Sequence, residues 1–104
     1  MQDDQAAQDA AMLLASLATN HPEAMRGTAF TLSEDEPRRV GLNKDRFDKA
    51  MWWLIKYGFV ERDEETEKLL GKVEGTTEYA YGLAFKIPER GRKPLREAGR
   101  DDPP

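Results

Sequence analysis

The sequence predicts an α+β fold, mainly helical, on three observations. An alanine-rich opening segment can be capped by aspartate, a mid-chain stretch places its apolar residues at helical spacing, and a run near the C-terminus alternates strictly. With 104 residues the chain makes one small domain. We take it as residues 1–98, with 99–104 as a disordered tail rich in Asp and Pro.

Residues 3–19 read as the first helix. Asp3 or Asp4 caps it, alanines fill it, and Met12, Leu13, Ser16 and Leu17 recur near helical spacing. Leu14 and Ala18 widen the apolar face, so the helix is expected to pack on more than one neighbour. Asn20-His21-Pro22 stops it, because the residue before proline is pushed out of the helical region. That makes His21 a turn or cap residue. Thr28 to Leu32 is short and extended, with Phe30 and Leu32 on one side. Ser33-Glu34-Asp35-Glu36 fits a capping box, opening a helix to Val40 that Pro37 keeps short.

Gly41 ends that helix, and Asn43 caps the next, from Lys44 to Tyr57. At about 100° per residue, Phe47, Ala50, Met51, Leu54 and Tyr57 fall within one arc and form the expected buried face. Trp52 projects about 160° from Leu54, and Trp53 about 100°. Trp53 is therefore expected at the edge of the core and Trp52 outside it. Gly58 closes the helix and Phe59-Val60 begins a strand. Tyr79, Tyr81, Leu83, Phe85 and Ile87 alternate with smaller or polar residues, a period-two strand with its aromatics on one face. Those rings are expected in the core of the sheet rather than as a stacking platform for single-stranded nucleic acid. The polar segment 63–78 fits either an extended hairpin or a turn of helix. A last short helix is expected between Pro88 and Ala98, interrupted by Pro94.

Hydrophobic residues make up 38% of the chain and charged residues 35%, enough for a compact core under a polar surface. No apolar stretch approaches the roughly 20 residues that cross a bilayer. Met1-Gln2-Asp3-Asp4 lacks the positive region of a secretory leader, so the expected compartment is the cytoplasm. With no cysteine and one histidine, disulfide scaffolds and Cys/His zinc sites are excluded. Glu34-Asp35-Glu36 offers too few oxygens for calcium, and a helix start favours acids without a metal. No P-loop, dinucleotide fingerprint or nucleophile elbow is present. We therefore expect no catalytic residue, no metal and no cofactor: a binding or regulatory module rather than an enzyme.

The net charge of −4 conceals segregation. Residues 1–36 carry −6, residues 37–60 carry +4, residues 61–85 carry −4 and residues 86–104 carry +2. The stretch from Thr31 to Asp63 holds Val40-Gly41-Leu42-Asn43, then Phe47, Ala50 and Leu54, then Tyr57-Gly58-Phe59-Val60-Glu61-Arg62. Downstream stands Ile87-Pro88-Glu89-Arg90-Gly91-Arg92-Lys93-Pro94-Leu95. In order and spacing these two stretches resemble the winged helix-turn-helix of small bacterial repressors such as the MarR and PadR families. The resemblance implies a three-helix core, a β-hairpin wing and a short C-terminal helix. It also implies a homodimeric transcriptional regulator that lays the 43–57 helix in the major groove of double-stranded DNA. The chain departs from that pattern at Pro37 and Pro94, in lacking long dimerisation helices, and in an acidic wing at Glu64, Glu65 and Glu67.

On that reading the DNA-binding residues are Arg38, Arg39, Asn43, Lys44, Arg46 and Lys49. Arg38 and Arg39 precede the turn and are placed for phosphates. Arg46, in the first turns of the helix, is placed to pair with guanine, worth about 1–3 kcal/mol of discrimination. The dimer surface is expected from Met12, Leu13, Leu14 and Leu17, with Trp52 as a further interface residue. The competing expectation is a winged-helix adaptor that binds protein through Trp52 and the acidic wing. Surface charge separates the two: an unbroken positive stripe from Arg38 to Lys49 supports DNA, and interruption by carboxylates supports protein.

Overall fold

The computed structural model describes residues 2–65 and 84–98, with side chains from Asp4 onward. Helix α1 spans Gln2–Asn20, and a 3-10 turn follows over Pro22–Arg26. Strand β1 is Phe30–Thr31, α2 is Glu36–Val40 and α3 is Lys44–Lys56. Strands β2 (Glu61–Arg62) and β3 (Ala84–Lys86) come next, and α4 (Glu89–Glu97) closes the described chain. The architecture is mainly helical, with one three-stranded antiparallel sheet in the order β1-β3-β2. Phe30 faces Phe85 and Thr31 faces Ala84 across one ladder, while Glu61 faces Lys86 across the other. The first strand thus joins the sheet on the far side of β3, and the buried Phe30 and Phe85 stand opposite one another as a cross-strand pair.

The core forms where α1 packs on α3, and the buried strand residues Phe30 and Phe85 belong to the same cluster. Leu13 and Leu17 of α1 meet Phe47, Ala50, Met51 and Leu54 of α3, with Val60, Phe85 and Ile87 below. Each large side chain buried in this way contributes about 1.5–3 kcal/mol. Leu13, Leu14 and Leu17 are 0%, 6% and 0% exposed, which corrects their assignment to a dimer surface. Their apolar stripe is spent on the chain's own core. Met12, on the other side of α1, stays 48% exposed.

The α2–α3 junction follows from local chemistry. Gly41 takes φ +80°, where a side chain would be strained, and its N–H donates to the Arg38 carbonyl at 3.1 Å. The Asn43 side chain then caps α3 by accepting from the Arg46 N–H at 2.9 Å. At the start of α2 the expected capping box is half formed. Glu36 accepts from the Ser33 N–H, but the Ser33 hydroxyl turns to Asp35. Regular helix consequently begins at Glu36, three residues later than expected.

Two further differences have clear causes. Tyr57 is 44% exposed, because α3 ends at Lys56 and leaves Tyr57 as the C-cap, outside the buried arc. Helix α4 runs through Pro94. The turns on either side hold, with Arg92 donating to Pro88 and Ala98 donating to Pro94, both at 3.0 Å. Phe59 and Val60 precede β2 rather than forming it. The expected strand residues Tyr79, Tyr81 and Leu83, the undecided stretch from 66 to 78 and the tail from 99 lie outside the described residues. Among the described residues no helix is long and apolar enough to cross a membrane.

Candidate interaction surface

The cations expected to meet DNA lie on α2 and α3, and carboxylates of the same chain meet most of them. Asp35 receives Arg39 at 3.1 Å and Arg38 at 3.9 Å. Lys44 pairs with Asp48, and Lys49 with Asp45, each at 3.2 Å and one helical turn apart. Glu34 shares a shallow hollow with Asp35 and Arg38. Hydrogen bonding from the Ser33 hydroxyl, with Arg39 nearby, holds the Asp35 carboxyl below its ordinary range despite partial burial. It remains an anion on this face at neutral pH.

Arg46 is engaged more deeply. Its guanidinium donates to both oxygens of Asp9, from Nε at 2.9 Å and from Nη2 at 2.7 Å. Asp9 is 2% exposed. These bonds, with one from Gln5, outweigh the cost of burial and hold the Asp9 carboxyl below its ordinary value, while the same pairing raises Arg46. The arginine expected to read a base is thus fastened to α1. Arg38, Arg39, Lys44, Arg46 and Lys49 share this face with Glu34, Asp35, Asp9, Asp48 and Asp45, so the stripe is neutral and interrupted throughout. The sixth expected contact, Asn43, has its side-chain oxygen in the cap.

A second buried carboxylate sits behind α2. Glu36 is 1% exposed and accepts from His21 Nε2 at 2.6 Å, from the Ser33 N–H at 3.3 Å and from Asn20 at 3.4 Å. Burial alone would raise its pKa, but the hydrogen bonds together lower it. The His21 ring also stacks on Phe30, with centroids 4.7 Å apart. His21, expected as a turn residue, therefore also ties the end of α1 to α2 and the sheet.

The outward half of α3 is different in character. Trp52 is 59% exposed, the most exposed large apolar side chain among the described residues. With Lys49, Trp53, Ile55 and Lys56 it lines an open hollow of about 490 Å³ whose surface is almost wholly apolar. Trp53 is half-buried as expected, against Tyr57 at 4.6 Å and Phe59 at 5.7 Å between ring centroids. On its other side Trp53 lines a smaller apolar hollow with Phe59, Pro94 and the α1 residues Ala7 and Ala11. Arg90 lies over the Phe59 ring at 4.9 Å.

No family model, curated protein or solved structure matches the chain. The functional reading therefore rests on this surface. The exposure of Trp52 is legible in the sequence from its angle on the helix. Trp53, Phe59 and Pro94 are not legible there as parts of one surface, because they converge from α3, the segment after it and α4. The proline at 94 and the alanine pair at 7 and 11 were the available signals.

Proposed function

We propose that this chain is a winged-helix module that binds a protein partner through the outward face of α3. The winged-helix assignment is supported by the element order: helix, strand, two helices across the Gly41 turn, then a sheet whose first strand pairs with the last. The observation that carries the function is Trp52. A large ring left 59% exposed beside an apolar hollow is the kind of anchor that dominates protein interfaces. The neutral α2–α3 stripe agrees with this reading, because DNA affinity depends on cations able to displace counterions. Glu64 and Glu65, exposed after β2, add negative charge where a DNA-binding wing would carry positive.

The test is capture from the source cell's extract by the parent chain and by Trp52→Ala, followed by rebinding with the purified partner. A partner that binds the parent and loses at least about ten-fold in affinity to Trp52→Ala is expected. A purified partner that binds both equally would overturn the reading.

The DNA reading keeps one observation in its favour. Arg38 and Lys49 remain 85% and 70% exposed, and Asp45, the exposed partner of Lys49, can be exchanged for phosphate. Random-sequence duplex at about 50 mM salt separates the readings. Binding that collapses as salt rises would establish DNA contact; no shift is expected.

A further inference from the structure

The hollow at Trp52 and the hollow at Ala7 and Ala11 are both lined by Trp53, so they adjoin at that ring as the two steps of an apolar track from the outer face of α3 toward α1 and α4. Among the described residues no carboxylate lines either hollow. The charges at its lip are cations. Lys49 and Lys56 line the outer hollow, and Arg90 lies over Phe59 at the inner one. Ala7 and Ala11 stand one turn apart and present only methyl groups, which leaves room for a bulky side chain.

From this geometry we infer that the track takes an acidic amphipathic segment of a partner protein, with one bulky apolar side chain for each hollow and carboxylates facing Lys49, Lys56 and Arg90. The inference rests on the protein-binding reading above and names the partner's chemistry. Charge argues against a second copy of this chain as the occupant. A two-fold interface centred on Trp52 would bring the Lys49 and Lys56 pair of one copy against that of the other, and like charges across an interface are penalised. Nucleic acid fits less well too, since the surface between the three lip cations is apolar and offers a phosphate backbone no polar partner.

The experiment uses the full chain and three fluorescein-labelled peptides of one length. The first alternates Leu and Phe with Glu, the second carries the same apolar residues with Lys, and the third keeps Glu but replaces Leu and Phe with Ser. Anisotropy reads binding, and the blue shift of tryptophan emission reports coverage of Trp52. The acidic amphipathic peptide is expected to bind at least about ten-fold more tightly than either control. The double variant Lys49→Glu, Lys56→Glu is expected to lose that preference and turn toward the Lys peptide. Both positions point to solvent, and an unchanged circular dichroism spectrum shows that the variant folds. Equal binding of the Glu and Lys peptides, lost together in Trp52→Ala, would overturn the acidic partner and leave the protein-binding reading standing. Emission that shifts with protein concentration alone would assign the track to a second copy. Emission that shifts with duplex and with none of the peptides would overturn both readings.

Discussion

Arg46 and Asp9 stand 37 residues apart in the chain, yet the guanidinium of one closes on both oxygens of the other. The pair ties the first turn of α3 to the middle of α1, beside the Leu13–Phe47 core. It also engages, in an ion pair within the chain, the arginine that a groove-binding helix would need most. One contact thus joins the stability of the fold to the character of its surface.

The two halves of that pair are not equivalent. Asp9 is 3% exposed in its side chain and Arg46 is 44% exposed, so Arg46 can reach water when its partner is gone and Asp9 cannot. Arg46→Ala therefore leaves a buried carboxylate without its guanidinium, and a drop in Tm of about 5 °C or more is expected. Asp9→Asn is expected to cost clearly less. Thermal unfolding of the two variants side by side checks the order. Equal Tm values for Arg46→Ala and the parent would show that the pair adds nothing to the fold.

Acid should act through Asp9 and Glu36. Both carboxyls are held below their ordinary values of 3.8 and 4.5, so in the acidic range the unfolded chain binds more protons than the folded one. Their contribution is fully present above those ordinary values. It is lost as pH falls from there through the lower folded pKa values. Urea midpoints measured from about pH 7 down to about pH 2 should stay level at first and then fall. Glu36→Gln is expected to start lower at neutral pH and to fall less in acid. A slope identical to the parent's would remove Glu36 from the linkage.

How much of this was legible in sequence depends on the range of each interaction. The buried arc Phe47, Ala50, Met51 and Leu54, the Asn43 cap and the Gly41 stop are set by neighbours within one or two turns, and spacing alone finds them. Tyr57 continues the same arithmetic and fails only because the helix ends one residue before it. The stripe Leu13, Leu14 and Leu17 was visible as apolar, but periodicity does not distinguish a chain's own core from a partner's. Asp9 read as one acid among several in an acidic segment. The register that brings it to Arg46 is a property of how α1 crosses α3, and no local pattern encodes it.

Gly91 offers a test of how α4 is seated. A Cβ built there would lie 2.2 Å from the Phe59 carbonyl oxygen and 2.7 Å from Ile87 Cγ2, so backbone would have to move. Gly91→Ala is expected to cost about 1–3 kcal/mol, more than the roughly 1 kcal/mol that alanine gains over glycine in a helix. Gly41→Ala is the comparison. Nothing lies within 4 Å of a Cβ there, and only the strain of φ +80° remains, about 1 kcal/mol. Urea midpoints at unchanged m-value measure both. A stabilised Gly91→Ala would mean that α4 does not press on Phe59.

The adjacent tryptophans should separate structure from binding. Trp53 packs against Tyr57 and Phe59 and touches the core, so Trp53→Ala is expected to cost about 1–3 kcal/mol, below the range for a fully buried ring. Trp52 stands 59% exposed, and Trp52→Ala is expected to change stability by no more than about 0.5 kcal/mol. The same two variants divide the fluorescence. Trp52 should supply the red-shifted emission that acrylamide quenches readily, and Trp53 the bluer, more protected part. If Trp52→Ala costs as much stability as Trp53→Ala, or removes the protected emission, then Trp52 belongs to the core and α3 has no exposed anchor to offer a partner.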